Sequence, residues 1–218
     1  LSFACNGGPA RARNEAIARA RGAVILLLGD DIVPAPGLLA RHARWHRSHA
    51  DDKEALLGRT TWPESMSVTP CMRFLEAGGR AFFLNYRDLP AGREVSGMFF
   101  YTCNVSFKRS LFLDAGGFDE RFPYASHEDI ELGLRLQRAG MRLRYDDESV
   151  GYHRHVLDFP GMLRRVYLMG YSSVQFWQTV GSLGSGLRRA ARAGLAFVFA
   201  RAVCRTLLLY LARRSVRR

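Results

Sequence analysis

The sequence contains little cysteine and almost no lysine. Its four cysteines are scattered through 218 residues without a paired spacing, which argues against a disulfide framework and against a cysteine-based zinc site. The same usage fits a reducing compartment. Lysine occurs only at Lys53 and Lys108, so arginine supplies nearly all of the positive charge.

Acidic residues are absent from the C-terminal region. Residues 159–218 contain 11 arginines and neither Asp nor Glu, whereas positive and negative residues nearly balance in residues 1–158. The C-terminal region therefore carries +11 of the formal net charge of +12. A basic block of this kind indicates an anionic partner, either nucleic acid or the anionic surface of a membrane.

A long apolar segment free of charge is also lacking. Residues 193–212 are numerous enough to span a bilayer, but Arg201 and Arg205 lie near their middle. Each arginine costs about 2.5–3.5 kcal/mol at the centre of a membrane helix, whereas each Leu or Phe returns only about 0.3–0.6 kcal/mol. We therefore predict that residues 187–218 form a basic amphipathic helix that binds an anionic membrane surface without crossing it.

The rest of the chain has the pattern of an α/β protein. Apolar periodicity, with proline or glycine at the ends, predicts helices at residues 9–22, 38–49 and 128–139. The continuous apolar run at residues 23–28 predicts a strand that is covered on both faces. Shorter runs predict further strands at residues 56–61, 98–107, 141–145 and 150–153. Helices that alternate with buried strands are typical of the α/β class.

The composition changes along the chain predict four parts. We expect one α/β domain over residues 1–158 and a helical extension over residues 159–180. The glycine- and serine-rich residues 181–186 predict a flexible linker, and the basic helix follows over residues 187–218.

Two adjacent carboxylates, Asp30 and Asp31, directly follow the strand predicted at residues 23–28. In open α/β sheets, ligands bind beyond the carboxyl ends of the strands. Adjacent carboxylates at that place can share a hard divalent cation, which offsets their mutual repulsion and can hold a diphosphate. The alternative is a polar turn with two solvated aspartates, because short motifs match by chance.

A second pair of acids, Glu128 and Asp129, lies at the start of a predicted helix. The helix dipole favours carboxylates there, which is a complete structural explanation of the pair. His153 ends a predicted strand further along, and an imidazole is a plausible metal ligand. By contrast, His42 and His46 share a helix with several arginines, so we expect them on a solvated face.

Three segments, in this order, resemble family 2 glycosyltransferases of the inverting GT-A type. The segment GPARARNEAIARARGAVILLLGDDIVP is similar to that family's helix, strand and metal-binding loop. The segment TCNVSFKRSLFLDAGGFDERF resembles its acceptor-side strand and turn, and HEDIELGLRLQRAGMRLRYDDESVGYHRH resembles its catalytic helix and closing histidine strand. The resemblance covers about residues 6–177. It implies a GT-A, Rossmann-like mixed sheet with flanking helices.

The resemblance assigns donor-side roles to five residues. Asp31 matches the last position of the family's Asp-X-Asp motif, which ligates Mn²⁺ or Mg²⁺, and Asp30 matches the middle position, near the ribose and the diphosphate. Arg13 matches an arginine that lies near the nucleotide in relatives. His153 matches the histidine that can complete the metal site, with His155 as the rival.

The resemblance also assigns roles on the acceptor side. Asp129 matches the second residue of the family's Glu-Asp pair, which is the general base, and Glu128 would then hydrogen-bond the loop or the acceptor. Asn104 and the turn at Gly116 and Gly117 match acceptor-side elements. These residues imply that the acceptor hydroxyl approaches from the start of the helix predicted at residues 128–139.

The sequence departs from the family in three ways. Gly29 stands where many members have the first aspartate of the Asp-X-Asp motif, although some members also lack an acid there. The family's first strand–helix–strand unit, which binds the nucleoside base, does not precede Leu1, so we expect an N-terminally truncated domain. The Gln-X-X-Arg-Trp motif of processive synthases is absent, which favours transfer of a single sugar over polymer synthesis.

The resemblance implies an enzyme that moves one sugar from a nucleotide-diphosphate sugar to an acceptor hydroxyl with inversion. We expect the acceptor to be lipid-linked or a surface polysaccharide, and the enzyme to be cytoplasmic and peripheral on the inner face of the cell membrane. One alternative is a basic nucleic-acid-binding protein, although no nucleic-acid motif appears and the positive charge is confined to the C-terminal region. Another is a catalytically inactive relative that only binds a sugar nucleotide.

Overall fold

A computed structural model describes residues 6–73, 86 and 89–181 of the chain. Nearly all of the predicted linker and the whole of the predicted basic helix at residues 187–218 lie outside these residues. Within the described part, no helix combines the length and the apolar character that crossing a membrane requires.

Helices and strands alternate along the described chain, as predicted. The helices are α1 (Gly8–Arg19), α2 (Leu38–Ser48), α3 (Arg109–Asp114), α4 (Glu128–Arg138) and α5 (Phe159–Gly181). The strands are β1 (Val24–Leu28), β2 (Ile32–Pro34), β3 (Glu54–Thr61), β4 (Glu94–Val95), β5 (Asn104–Lys108) and β6 (Arg142–His153), with a short 3₁₀ helix at Gly97–Phe99. Pro9 lies in the first turn of α1, where its missing N–H costs no helical hydrogen bond.

The strands form one mixed sheet in the order β1-β5-β3-β6-β2, with β4 paired to β6 as well. Strands β3 and β6 are parallel, and the other pairs are antiparallel. Strand β6 replaces the two short strands predicted at residues 141–145 and 150–153. The polar residues between them resemble a turn in the sequence. In the structure they belong to one continuous strand, whose pairing with β3 shifts in register between Gly58 and Arg59.

The main core lies between the sheet and helix α4. Leu132 and Leu136 of α4 are fully buried together with Phe100 and Phe107. Gly133 permits this packing, because a Cβ atom there would clash with the backbone carbonyl oxygen of Gly97. Helix α4 is therefore held rigidly against the sheet, and its first residues are fixed in place.

The prediction that the histidines of α2 lie on a solvated face is wrong. His42 and His46 are buried, and the hydroxyl of Ser106 lies 2.7 Å from His42 Nδ1 and 2.8 Å from His46 Nε2. Burial lowers the pKa of both imidazoles, that of His46 to about 4. Both rings are therefore neutral polar groups that tie α2 to the sheet, away from the surface.

The sheet brings two distant parts of the chain to the same edge. Strand β2 follows the Asp30-Asp31 turn and pairs with the end of β6, so that Ile32 lies opposite His153. The backbone N–H of Arg154 donates to the carbonyl oxygen of Asp31 at 2.8 Å. This pairing explains how residues more than a hundred positions apart build one site.

Candidate functional site

A cavity of about 260 Å³ opens where β1, β3 and β6 end and α4 begins. Its lining includes Asp30 and Asp31 with His153, and also Glu128 and Asp129. The lining therefore gathers, in one place, both of the acidic pairs and the histidine predicted from the sequence. Further lining residues come from β3, the segment before β5, and α5: Thr60, Trp62, Tyr101, Cys103, Met162 and Arg165.

Asp31 and His153 are in direct contact. Nε2 of His153 lies 2.9 Å from Oδ2 of Asp31, whereas Nδ1 of the rival His155 lies 3.9 Å from the same oxygen. The ring of Trp62 stacks on His153 at a centroid distance of 5.1 Å. Burial lowers the pKa of His153, against the opposing effect of Asp31. In this contact Nε2 donates its proton to the carboxylate of Asp31, and a cation held by both groups would replace that proton.

Gly29 gives Asp31 the room for this contact. A Cβ atom at Gly29 would lie 2.8 Å from Oδ1 of Asp31 and 3.0 Å from Cγ1 of Ile32. The carboxylate of Asp31 thus lies where a side chain at position 29 would begin, which gives a physical reason for the glycine. Asp30 is exposed at the rim of the cavity.

The second acidic pair lies at the first turn of α4. His127 precedes it with a left-handed φ of 68°, which turns the chain sharply into the helix. Glu128 is only 2% exposed, and its Oε2 atom has no hydrogen-bond partner among the described residues. Asp129 is half-buried and accepts a hydrogen bond from the backbone N–H of Ile130 at 2.8 Å.

Burial and the neighbouring Glu128 raise the pKa of Asp129 to about 7, although Arg13 opposes the shift. Two carboxylates in one partly buried site cannot both ionise freely, which is the cause of the raised value. A carboxylate with a pKa near neutrality combines sufficient ionisation with sufficient basicity to accept a proton. Asp129 therefore has the protonation behaviour of a general base.

Arg13 lines the cavity from α1 and is paired with the acids. Its Nη1 atom donates to Oε1 of Glu128 at 2.7 Å, and its guanidinium lies over the ring of Phe118 at 5.5 Å. The predicted place near a nucleotide is compatible with this position, because Arg13 belongs to the cavity wall. The structure adds that Arg13 balances the charge of Glu128.

Asn104, Gly116 and Gly117, which the resemblance placed on the acceptor side, lie outside the cavity lining. Asn104 is fully buried, and its amide donates to the carbonyl oxygens of Arg59 and Ser149. Gly116 and Gly117 both have positive φ, at 79° and 74°, and form the turn that ends α3. None of the three is part of the cavity lining, so the structure places these side chains and this turn behind the site.

Arg165 lines the cavity without a local signal in the sequence. The side chain comes from α5 and is half-buried, and burial lowers the pKa of the guanidinium while Asp31, Asp129 and Glu128 oppose that shift. Its place depends on the packing of α5 against α4, which no local pattern shows. Tyr101 and Cys103 were missed for a similar reason, because they lie in a loop whose path is set by the sheet.

The residues at the sheet edge fit a divalent cation in part. Two atoms that bind one ion at about 2.1 Å and at right angles lie about 3 Å apart, and the contact between Asp31 and His153 has this spacing at 2.9 Å. Nδ1 of His153 is buried without a hydrogen-bond partner among the described residues. Within those residues, no group of three metal-binding side chains is found, so further ligands would have to come from a bound molecule.

Comparison with known proteins identifies the family of the chain. Residues 24–216 match the glycosyl transferase family group 2. The uncharacterised glycosyltransferase YfnE of Bacillus subtilis (strain 168) is 27% identical over 192 residues, which cover 68% of this chain and 48% of that protein. The pre-mycofactocin glycosyltransferase of Mycobacterium tuberculosis (strain H37Rv) is 28% identical over 176 residues, covering 76% of this chain and 34% of that protein. The chain thus spans about half of the first relative and about a third of the second.

A solved structure shares the fold. The mannosyltransferase PcManGT from Pyrobaculum calidifontis, determined in complex with GDP-Man and Mn²⁺, is 18% identical and superposes with a TM-score of 0.52 over 96% of this chain and 60% of that one. The predicted GT-A fold is confirmed by this likeness and by the mixed sheet with its flanking helices. Because the family match covers most of the sequence, the chain belongs to the glycosyl transferase family group 2, and it has the GT-A fold.

Proposed function

We propose that this protein transfers a single sugar from a nucleotide-diphosphate sugar to an acceptor hydroxyl, with inversion at the anomeric carbon. The observation that carries the proposal is the meeting of two acidic pairs in one cavity. Asp30 and Asp31 with His153 suit the diphosphate side, and Glu128 with Asp129 suits the side of the attacking hydroxyl. PcManGT, which shares the fold, was solved with GDP-Man and Mn²⁺, which supports a nucleotide-sugar donor.

Asp31 and His153 would hold Mn²⁺ or Mg²⁺ together with oxygen atoms of the donor. Bound there, the cation neutralises negative charge on the diphosphate as the bond to the sugar breaks. Trp62 stacks on His153 and thereby fixes the orientation of the ring. Arg165 lines the same cavity and would add a positive charge for the diphosphate.

Asp129 would accept the proton of the acceptor hydroxyl while the oxygen attacks the anomeric carbon. The bond between that carbon and the diphosphate oxygen breaks in the same displacement, and the nucleoside diphosphate leaves with its electron pair. Glu128 keeps its charge paired with Arg13 and directs its second oxygen to the acceptor. A single displacement inverts the anomeric centre. Because only one hydroxyl attacks, only one base is needed.

We further propose that the acceptor belongs to a cell-surface polysaccharide or glycolipid and that the enzyme is cytoplasmic and peripheral on the inner face of the membrane. The basic residues at 187–218 support this proposal. Each arginine near an anionic surface contributes about 1 kcal/mol, and nine lie in this segment. The attraction is electrostatic, so it weakens as salt rises.

The experiment that tests the proposed function is release of nucleoside diphosphate from a panel of UDP- and GDP-sugars, with Mn²⁺ and with EDTA. We expect release from at least one donor with Mn²⁺ and a strong loss with EDTA. Asp31→Asn should lose the response to Mn²⁺ and weaken donor binding. Donor binding without release under any condition would instead favour an inactive sugar-nucleotide-binding protein, and neither binding nor release would reject the proposal.

A further inference from the structure

Strand β5 carries a row of buried polar side chains on one face. Asn104, Ser106 and Lys108 alternate with Val105 and Phe107 along the strand, so the polar residues share the face opposite the apolar ones. Asn104 and Ser106 are fully buried. Buried polar atoms destabilise a protein unless they are hydrogen-bonded, so the bonds of this face need a full account.

The hydrogen bonds of this face run in one direction. The side-chain amide of Asn104 donates to the carbonyl oxygens of Arg59 at 3.1 Å and Ser149 at 2.8 Å, which leaves Oδ1 as an acceptor. That oxygen lies 3.1 Å from Nε2 of His42, so Nε2 carries the proton of this ring. Nδ1 of His42 then accepts from the hydroxyl of Ser106 at 2.7 Å.

His46 begins the same chain of hydrogen bonds. Because the hydroxyl proton of Ser106 is used on His42, Oγ of Ser106 accepts from Nε2 of His46 at 2.8 Å. Nδ1 of His46 is then the unprotonated nitrogen, and it has no hydrogen-bond partner among the described residues. The chain of donors therefore runs from His46 through Ser106 and His42 to Asn104, and ends on two main-chain carbonyls.

Those two carbonyls flank the register shift between β3 and β6. The partner on β6 moves from position 146 to position 150 between Gly58 and Arg59, so residues 147–149 have no partner on β3. Asn104 bonds to Ser149, the last residue before pairing resumes, and to Arg59, the first residue of β3 after the shift. The amide thus closes the bulge across both strands.

Two glycines leave space for the amide. A Cβ atom at Gly58 would lie 2.3 Å from Nδ2 of Asn104, and one at Gly151 would lie 3.5 Å from the same atom. Gly151 precedes His153 by two residues, so both positions share one face of β6. The pairing that resumes after the bulge runs up to the residue before His153, and the ring of His153 then stacks on Trp62.

Ion pairs hold the same bulge from the surface. Nη2 of Arg41 lies 3.2 Å from Oδ1 of Asp146 and 2.5 Å from Oε2 of Glu148. The side chain of Glu148 is 70% exposed, and exposed ion pairs constrain a structure only weakly. The buried amide of Asn104 is therefore the stronger constraint on the bulge.

We propose that Asn104, oriented by His42, is a positioning residue for His153: it fixes the register of β6 that brings the imidazole to Asp31. A slip of one residue turns every side chain of a strand to the other face, which would separate His153 from Asp31. Loss of the amide would deprive two carbonyl oxygens of their donor at the point where a slip begins. The inference rests on the proposed function only for what Asp31 and His153 bind.

Substitutions at both ends of the chain of hydrogen bonds separate this role from stability alone. Asn104→Ala removes the amide. His42→Asn places an amide near the former Nδ1, towards Ser106, whereas His42→Gln extends to the former Nε2 and still donates to Asn104. His46→Asn is the matched control, because it removes the Nε2 donor at the far end of the same chain. Thermal unfolding should show similar losses in His42→Asn and His46→Asn.

The position of His153 is measured in protein labelled with ¹⁵N-histidine, in which long-range ¹H–¹⁵N spectra report the ring nitrogens. His153→Ala identifies the signals of His153. In the unchanged protein we expect His42 and His46 to be protonated at Nε2 only. The signals of His153 should move in Asn104→Ala and His42→Asn, return in His42→Gln, and keep their place in His46→Asn.

Three results would overturn the inference. The first is a set of His153 signals that keep their place in His42→Asn and Asn104→Ala, and the second is an equal movement in His46→Asn. The third is a proton on Nδ1 of His42 in the unchanged protein, which would reverse the chain of hydrogen bonds. If Asn104→Ala does not fold, the comparison of His42→Asn, His42→Gln and His46→Asn decides.

Donor binding distinguishes this inference from the proposed function. Calorimetry with Mn²⁺ and the donor that the panel identifies should show binding about tenfold or more weaker in His42→Asn than in His46→Asn, as loss of support for a metal ligand does. Equal binding in the two variants, with the His153 signals displaced in only one, would overturn the link to the site. If the unchanged protein binds no donor, the proposed function fails, and the spectra alone decide whether Asn104 positions His153.

Discussion

Nη1 of Arg13 lies 2.7 Å from Oε1 of Glu128. The positive charge of the same guanidinium opposes the rise in the pKa of Asp129. Helix α1 supplies the arginine, and the first turn of α4 supplies both acids. One guanidinium therefore serves two carboxylates in a partly buried site. Arg13 therefore influences the basicity of Asp129 without accepting the proton itself.

The first prediction is that Arg13→Gln moves the acidic limb of the pH–rate profile to higher pH. Asp129 must be ionised to accept a proton, so turnover rises as pH increases through its pKa of about 7. Arg13 favours the ionised form, and its removal raises that pKa further. The measurement is turnover against pH at saturating donor. Arg41→Gln is the control, because Arg41 pairs with Asp146 and Glu148 instead, and an equal shift in both variants would contradict this account.

The second prediction concerns the two neighbouring acids of α4. Asp129→Asn should retain donor binding but lower turnover by about two to four orders of magnitude, because the acceptor proton then has no base. Glu128→Gln should lower turnover less. If both residues only favoured the start of the helix, each change would cost about 0.5–2 kcal/mol of stability without a special effect on turnover. Near-normal turnover in Asp129→Asn together with inactivity in Glu128→Gln would assign the base to Glu128.

The third prediction links the same residue to stability. A carboxyl with a raised pKa in the folded protein binds its proton more tightly there than in the unfolded chain. Its contribution is therefore lost as pH rises from the ordinary value of about 3.9 through about 7. Asp129→Asn cannot ionise, so its melting temperature should exceed that of the unchanged protein most clearly at pH 8, and less at pH 5.

Thermal unfolding at several pH values measures this difference. The exposed Asp30→Asn is the control, and its difference from the unchanged protein should not follow the same pH range. A gap between Asp129→Asn and the unchanged protein that is constant with pH would show that folding does not raise the pKa of Asp129.

The fourth prediction separates His153 from His155. His153 touches Asp31 and is held by Trp62, whereas His155 is exposed and lies 3.9 Å from Asp31. We expect His153→Ala to weaken Mn²⁺-dependent donor binding by about tenfold or more, as loss of a metal ligand or of its direct support does. His155→Ala should change binding little. Calorimetric titration of donor with and without Mn²⁺ measures both, and the opposite ranking would make His155 the ligand.

The sequence predicts the parts of the site that follow a strand or begin a helix. Asp31 and His153 each come at the end of an apolar run, and both ends meet because β2 pairs with β6. Glu128 and Asp129 begin a strongly periodic helix, so their position at its first turn can be predicted from the sequence. Local pattern is sufficient for these residues because strand and helix ends are where side chains reach a shared edge.

Other features depend on packing that no local pattern contains. His42 and His46 are among arginines in the sequence, yet Ser106 from a distant strand buries them. Asn104 follows a turn, but its amide is used inside the sheet by the carbonyls of Arg59 and Ser149. Arg165 lines the cavity because α5 packs against α4. In each case a tertiary contact decides what a polar residue does.

The most direct test of the account is the configuration of the first product formed. With the donor that the panel identifies, proton NMR of the anomeric signal during early turnover shows whether the new bond has the opposite configuration to the donor. We expect inversion, because one displacement with Asp129 as base needs no covalent sugar–enzyme intermediate. Retention of configuration would contradict the assignment of Asp129 and the single-displacement mechanism together.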